Sequence, residues 1–184
     1  SCPQASTMRI QFEIKEKLPE IIEEICEKIS AEGKPVQAVN YNCPGQVVIA
    51  GATEAVKQAC VEMKEAGAKM AIMLKVSAPF HSTLMEPAAK KLESVLSDIT
   101  IHDAQIPVYA NYTAKPELKA DEIRKNLIMQ AAHPVLWDES VRNMIADGAD
   151  LMIEAGPGTV LSGFMKRISR RTRTLHAEDA ETIE

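Results

Sequence analysis

The chain has 184 residues, of which 46% are hydrophobic and 26% charged, with a net charge of −5. This composition is that of a globular protein with a real interior. No apolar run approaches the roughly 18 to 20 residues that span a bilayer, and the first residues lack a basic segment followed by an apolar one, so we expect a cytosolic protein. Only 4% of the residues are aromatic, which argues against a chain-wide nucleic-acid surface.

Period-2 alternation of apolar residues over residues 8–14 predicts a half-buried strand, and helical spacing over 18–29 predicts a helix that Gly33 ends. The pattern then predicts strands at 36–42 and 46–50, a helix at 53–67 and a strand at 69–76. The order βαββαβ over residues 8–76 is that of a ferredoxin-like subdomain, with two helices on one face of a four-stranded sheet.

From residue 77 the pattern changes to longer helices separated by single strands, typical of an α/β layer. Helices are predicted at 84–97, 121–132, 139–146 and 160–169, and strands at 106–112 and 151–154. Two strands are too few for a free-standing sheet, so we expect this part, residues 77–176, to pack against other structure. Residues 1–7 and 177–184 are predicted to be flexible ends.

The cysteines favour neither a metal site nor a disulfide framework, because they form no C-x-x-C pair and have no histidine at zinc-ligand spacing. They are Cys2, Cys26, Cys43 and Cys60. Cys43 has no histidine or basic residue near it in sequence, so we interpret it as structural rather than as a reactive thiolate.

His81 is the first candidate for chemistry, since it follows a predicted strand in a loop and can exchange a proton near neutral pH. By position alone, an ordinary hydrogen-bonding histidine is the commoner interpretation. No G-x-S-x-G nucleophile motif occurs in the chain. Ser82 is a poor nucleophile candidate, because adjacent side chains of an extended segment point to opposite sides.

Two further features have competing interpretations. The Gly156-Pro157-Gly158 segment could offer N–H groups to a phosphate, but a tight corner explains it as well. A basic cluster near the C-terminal end suits the dipole of the last helix, and it also suits an acidic partner or the phosphates of CoA. Its members are Lys166, Arg167, Arg170, Arg171 and Arg173.

Four stretches, in the same order and at similar spacing, resemble the malonyl-CoA:acyl carrier protein transacylase family. They are NYNCPGQVVIAG (residues 40–51), SAPFHSTLM (77–85), QAAHPVLW (130–137) and EAGPGTVL (154–161). The resemblance implies a ferredoxin-like subdomain inserted into an α/β-hydrolase-like large subdomain, of which residues 77–176 are the C-terminal part.

The resemblance also implies roles for residues of this chain. His81 corresponds to the general base, and Gln130 to the residue whose main-chain carbonyl orients that base. Phe80 resembles malonyl-selective members, and Asn42 is predicted to contact substrate. Lys166, Arg167, Arg170 and Arg171 are predicted to dock CoA or the carrier protein. The implied reaction transfers malonyl from CoA to the phosphopantetheine thiol of acyl carrier protein in fatty acid or polyketide synthesis, with no metal or other cofactor.

The family's upstream half, with its G-H-S-x-G serine, oxyanion-hole glutamine and carboxylate-binding arginine, has no counterpart in these residues. We therefore expect the chain alone to be inactive, to expose apolar surface, and to work with a chain that carries the missing half. Alternatives are a non-catalytic module that binds acyl carrier protein, or an inactive truncated fragment. Nucleic-acid binding by the sheet is set aside, since the required aromatic residues are absent, and no membrane partner is expected.

Overall fold

The computed structural model describes residues 5–13, 18–76 and 78–183. Ile14 of the first predicted strand, the predicted boundary residue Ser77, and residues 1–4 and 184 of the predicted ends lie outside the described residues. The strands are β1 (Ala5–Gln11), β2 (Val36–Cys43), β3 (Gln46–Ala52), β4 (Met70–Leu74), β5 (Val108–Tyr109), β6 (Pro116–Glu117), β7 (Leu151–Ala155) and β8 (Arg173–Ala177). The helices are α1 (Leu18–Ser30), α2 (Thr53–Glu65), α3 (Glu86–Ser97), α4 (Ala120–Met129), α5 (Trp137–Ala146), α6 (Val160–Ile168) and α7 (Ala180–Ile183), and a 3-10 turn (Thr83–Met85) precedes α3.

The first four strands form one antiparallel sheet in the order β2-β3-β1-β4. Alternate side chains of a strand share a face, so Ile10 of β1 and Ile49 of β3 point to the same side, where they are fully buried. Helix α1 contributes Ile22 and helix α2 contributes Met63 to this core. The predicted βαββαβ order is therefore present, with α1 and α2 on one face of the sheet.

The opposite face of this sheet lies toward the later part of the chain. Thr7 and Ala50, which are cross-strand neighbours in β1 and β3, are both buried there. The segment after α4 runs beside the edge strand β2, where Val135 N donates to Val39 O at 2.8 Å and Tyr41 N donates to Val135 O at 2.9 Å. Strand β2 is thus a place where the two parts of the chain join.

Parts of the predicted flexible ends belong to regular elements of the structure. Strand β1 begins at Ala5, so residues 5–7 belong to the sheet, and residues 180–183 form α7. Strand β8, absent from the prediction, lies parallel to β7 with Leu175 opposite Ile153. Its sequence includes Arg173 and His176 and has no apolar alternation, so its strand conformation depends on pairing with β7 rather than on local pattern.

The strand predicted at 106–112 is wrong in length, because only Val108–Tyr109 is a strand, paired with the unpredicted β6. Pro107 has no N–H to donate, and the chain turns at Ala110, whose carbonyl accepts the N–H of Ala114 at 2.8 Å. The four predicted helices of this part are present as α3 to α6, with α4 ending at Met129 instead of residue 132. None of the helices in the described ranges is long and apolar enough to cross a membrane.

Apolar surface is exposed in this second part, as predicted. On one face of the β7–β8 pair, Leu151, Ile153 and Leu175 are 37%, 57% and 41% exposed. Parallel sheets are almost always covered on both faces. Helices α3 and α4 contain no buried residue, so this part contributes little core of its own.

Glu154 of β7 caps helix α6, since its carboxylate accepts the N–H groups of Leu161 at 3.0 Å and Ser162 at 2.7 Å. Burial raises the pKa of Glu154, but contacts with Ser162 and Leu161 lower it by more, so the pKa lies below its ordinary value. Because the pKa is lower in the folded chain than in the unfolded chain, the ionised carboxylate stabilises the fold at pH values above the ordinary carboxyl pKa. That stabilisation is lost as the pH falls through the pKa that Glu154 has in the folded chain.

Replacing Glu154 with alanine should lower the free energy of unfolding at neutral pH by about 1 kcal/mol, the usual cost of a lost helix cap. The difference from the unsubstituted chain should shrink in acid, where the carboxylate is protonated. Urea unfolding at neutral and acidic pH measures both effects. Glu93→Ala, at an exposed position of α3, is the control and should cost nothing; an equal cost for both substitutions would contradict the cap.

Candidate active site

His81 lies in a tight turn that follows β4. Its φ is 62°, in the left-handed region that non-glycine residues seldom adopt. The hydroxyl of Ser82 donates to the carbonyl of Pro79 at 2.6 Å and closes this turn. Ser82 is only 1% exposed. Its hydroxyl is therefore occupied in holding the turn, which agrees with its rejection as a nucleophile.

The ring of His81 is oriented by the main chain at the end of α4. His81 Nδ1 lies 2.8 Å from the carbonyl oxygen of Gln130. A carbonyl oxygen only accepts hydrogen bonds, so Nδ1 carries a proton, and Nε2 is the basic nitrogen in the neutral form of the ring. This is the arrangement a general base requires, with a carbonyl in the position that a carboxylate holds in many catalytic triads.

A cavity of about 330 Å³ opens beside His81. Phe80 and Asn42, the two predicted substrate contacts, line it together with His81. The Asn42 side chain donates to Gln46 Oε1 at 3.1 Å. The remaining wall is mostly apolar and is formed by Thr7, Asn40, Val48, Leu74 and Val76.

Two polar wall residues of this cavity, Thr7 and Asn40, are absent from the sequence-based prediction of the site. Thr7 was assigned to a flexible end, yet it lies in β1, and its buried Oγ1 has no hydrogen-bond partner among the described residues. Asn40 lies two positions before Asn42 within the first family-like motif, and that proximity was the available signal. Strand pairing, which the sequence does not display, brings Thr7 to this wall.

The basic cluster is not brought to this cavity. Lys166 and Arg167 lie in the last turn of α6, and none of the five cluster residues is among the described residues that line the His81 cavity. Arg167 packs on the β2–β3 turn, where its guanidinium lies so close to Gly45 that an added Cβ there would be 2.9 Å away. The basic cluster is therefore separate from the His81 cavity.

Cys43 lies beside a larger cavity of about 700 Å³, whose wall also includes Tyr41, Leu136, Asp138 and Arg142. Burial raises the pKa of the Cys43 thiol, an effect that the nearby Arg167 only partly offsets. A neutral, buried thiol is a weak nucleophile. No histidine lines this cavity among the described residues, so it holds no candidate base.

The glycine-rich corner at residues 156–158 precedes α6, whose first N–H groups point to Glu154 of the same chain. A phosphate would compete with that carboxylate for the same donors. The structure therefore favours the interpretation of this segment as a tight corner between β7 and α6.

The sequence matches the family model described as "Acyl transferase domain" over residues 16–183. The chain belongs to the acyl transferase domain family.

Relatives within this acyl transferase family include the malonyl CoA-acyl carrier protein transacylase of Bacillus subtilis (strain 168), which is 46% identical over 165 residues, or 90% of this chain and 52% of the relative. The protein of the same name from Escherichia coli (strain K12) is 48% identical over 147 residues, or 80% of this chain and 47% of the relative. The chain thus spans about half the length of the curated relatives it matches.

Solved acyl transferases share the fold. The acyl carrier protein S-malonyltransferase of Vibrio cholerae superposes with a TM-score of 0.92 at 39% identity, covering 100% of this chain and 58% of that one. A malonyl-transacylase solved in complex with its type II polyketide synthase acyl-carrier protein gives the same TM-score, identity and coverage.

Proposed function

We propose that this chain is the part of a malonyl-CoA:acyl carrier protein transacylase that supplies the general base, His81. The observation that carries the proposal is the 2.8 Å contact between His81 Nδ1 and the Gln130 carbonyl. It leaves Nε2 free to accept a proton beside a cavity of about 330 Å³. The names of the relatives support malonyl as the acyl group.

In this proposal, Nε2 of His81 takes the proton of a serine hydroxyl while the serine oxygen attacks the thioester carbonyl of malonyl-CoA. The bond between carbonyl carbon and sulfur breaks, and the imidazolium returns the proton to the departing CoA thiolate. The thiol of acyl carrier protein then attacks the malonyl-serine ester. His81 takes the thiol proton and delivers it to the serine oxygen, which restores the starting state.

The serine must come from outside these residues, because no G-x-S-x-G occurs among them. We propose that a G-H-S-x-G segment, in the same polypeptide or in a partner chain, packs against the uncovered apolar surfaces. The exposed face of Leu151, Ile153 and Leu175 supports this. The result would be a ferredoxin-like subdomain inserted into an α/β-hydrolase-like one.

The remaining residues take the roles that the family resemblance implies. Phe80 and Asn42 would contact the substrate from the cavity wall. Lys166, Arg167, Arg170 and Arg171 would attract the phosphates of CoA or the acidic surface of a carrier protein. The reaction would take place in the cytosol during fatty acid or polyketide synthesis, and it needs no cofactor beyond the phosphopantetheine of the carrier.

The test is to purify this chain together with a polypeptide that carries the G-H-S-x-G half of a relative and to add malonyl-CoA. Mass spectrometry should detect a malonyl adduct on the serine, and acyl carrier protein should discharge it. Neither chain alone should form the adduct or turn over malonyl-CoA. Turnover by the 184 residues alone, or no adduct in a complex that assembles, would overturn the proposal. Carrier binding without an adduct would instead favour a non-catalytic binding module.

A further inference from the structure

The backbone of His81 is held in an unfavourable conformation. A non-glycine residue with φ near +60° is strained, and this conformation persists only where neighbouring contacts enforce it. The φ of His81 is 62°. Some contact outside the residue must therefore keep the turn in this shape.

Within the turn, the Ser82 hydroxyl donates to the Pro79 carbonyl at 2.6 Å. This bond links the ends of the four-residue turn that contains His81. It is internal to the turn, so it fixes the shape of the turn but not its position relative to the sheet.

The position is set on the C-terminal side, by Gln37. The side-chain oxygen Oε1 of Gln37 accepts two hydrogen bonds from Thr83, one from its N–H and one from its hydroxyl, both at 3.1 Å. Gln37 lies in β2. It therefore ties the residue two positions after His81 to a rigid strand 46 residues away in sequence.

Strand β2 also carries Asn40 and Asn42, which line the cavity beside His81. A single strand thus supports the cavity wall and, through Gln37 and Thr83, the turn that presents the base. We infer that Gln37 is a positioning residue that holds His81 in register with the cavity wall. This inference rests on the proposed function, since it assigns the arrangement to the catalytic base.

The first test uses the chain alone and needs no catalysis. Nitrogen NMR of the labelled imidazole, assigned with His81→Ala, should show a single Nδ1–H tautomer for His81. Gln37→Ala should convert this signal to that of a mixture of tautomers, because the His81 Nδ1–H would no longer be aligned with the Gln130 carbonyl. Gln37→Glu, which keeps an acceptor oxygen for Thr83, should retain the single tautomer. Gln58→Ala removes a similarly half-buried amide that bonds Glu62, and it should have no effect.

The second test uses the complex with the G-H-S-x-G half. Gln37→Ala should lower kcat for malonyl transfer by about tenfold with little change in KM, because small misplacements of a catalytic group slow the chemical step more than they weaken binding. Thr83→Val removes only the hydroxyl donor and should cost less. The double variant should be no slower than Gln37→Ala alone, since the hydroxyl already lacks its acceptor there.

An unchanged His81 signal and unchanged kcat in Gln37→Ala would overturn the inference, as would a loss of stability without either change, or full additivity with Thr83→Val. If Gln37→Ala fails to fold, the His81 tautomer signal and kcat are measured in Thr83→Val instead, with the same expected direction and a smaller change. Failure of the proposed function looks different, because the unsubstituted complex would then form no malonyl-serine adduct, or His81→Ala would still form it, independently of any change at Gln37.

Discussion

Replacing His81 with alanine is expected to lower malonyl transfer by about 10²–10⁴-fold in the complex that contains the nucleophile half, which is the usual contribution of a general acid-base group. Without the imidazole, the serine hydroxyl has no acceptor for its proton and the CoA thiolate has no donor. The KM for malonyl-CoA should change little, since Phe80 and Asn42 remain on the cavity wall. Steady-state rates and the yield of the malonyl-serine adduct measure the effect.

His133 offers a matched control within the same chain. It is also half-buried, and its Nδ1 also lies close to a backbone carbonyl, that of Met129 at 2.6 Å. Its ring packs edge-on against Tyr112, with 4.8 Å between centroids, and it does not line the His81 cavity. His133→Ala should therefore keep kcat near the unsubstituted value once the folded fraction is accounted for. Equal losses in the two variants would mean that His81 acts through stability alone.

The parts of the fold that the sequence predicts best are those where local pattern and tertiary role agree. In β1, Ile10 and its alternate neighbours face the core, so period-2 alternation in the sequence indicated which residues are buried. Strand β8 has no such pattern, because Leu175 is exposed and Arg173 and His176 are polar. Its conformation is imposed by hydrogen bonding to β7, and no local property of residues 173–177 reveals that partner.

The candidate site likewise has features that the sequence predicts and features that it does not. His81 was found by its loop position and by resemblance to a family, whereas its contact with Gln130 joins residues 49 positions apart. Spacing alone cannot predict such a contact, and only the resemblance proposed it. Gln37 and Thr7 were missed because they reach the His81 region across the sheet, and neither residue type carries a chemical signal by itself.

Replacing Gly51 with alanine is expected to cost about 3 kcal/mol of folding free energy, and to lower the melting temperature by about 6–12 °C, as overpacking against backbone cannot be relieved by a rotamer change. A Cβ at this position in β3 would lie 2.2 Å from Pro35 O and 2.6 Å from Val36 Cα. The backbone of β2 would have to move away at its first residue. Thermal and urea unfolding of the purified chain measure the loss.

Gly163 is the matched control, because the same substitution there should have the opposite sign. It lies inside α6, and nothing stands within 4 Å of an added Cβ, so Gly163→Ala should stabilise the chain by about 0.5–1 kcal/mol through helix propensity. If Gly51→Ala were as stable as Gly163→Ala, the close approach of Pro35 would be refuted.

Val36 directly precedes Gln37, so the backbone shift forced by Gly51→Ala should also disturb the support of His81. In the complex with the nucleophile half, that variant should lose transfer activity even below its melting temperature.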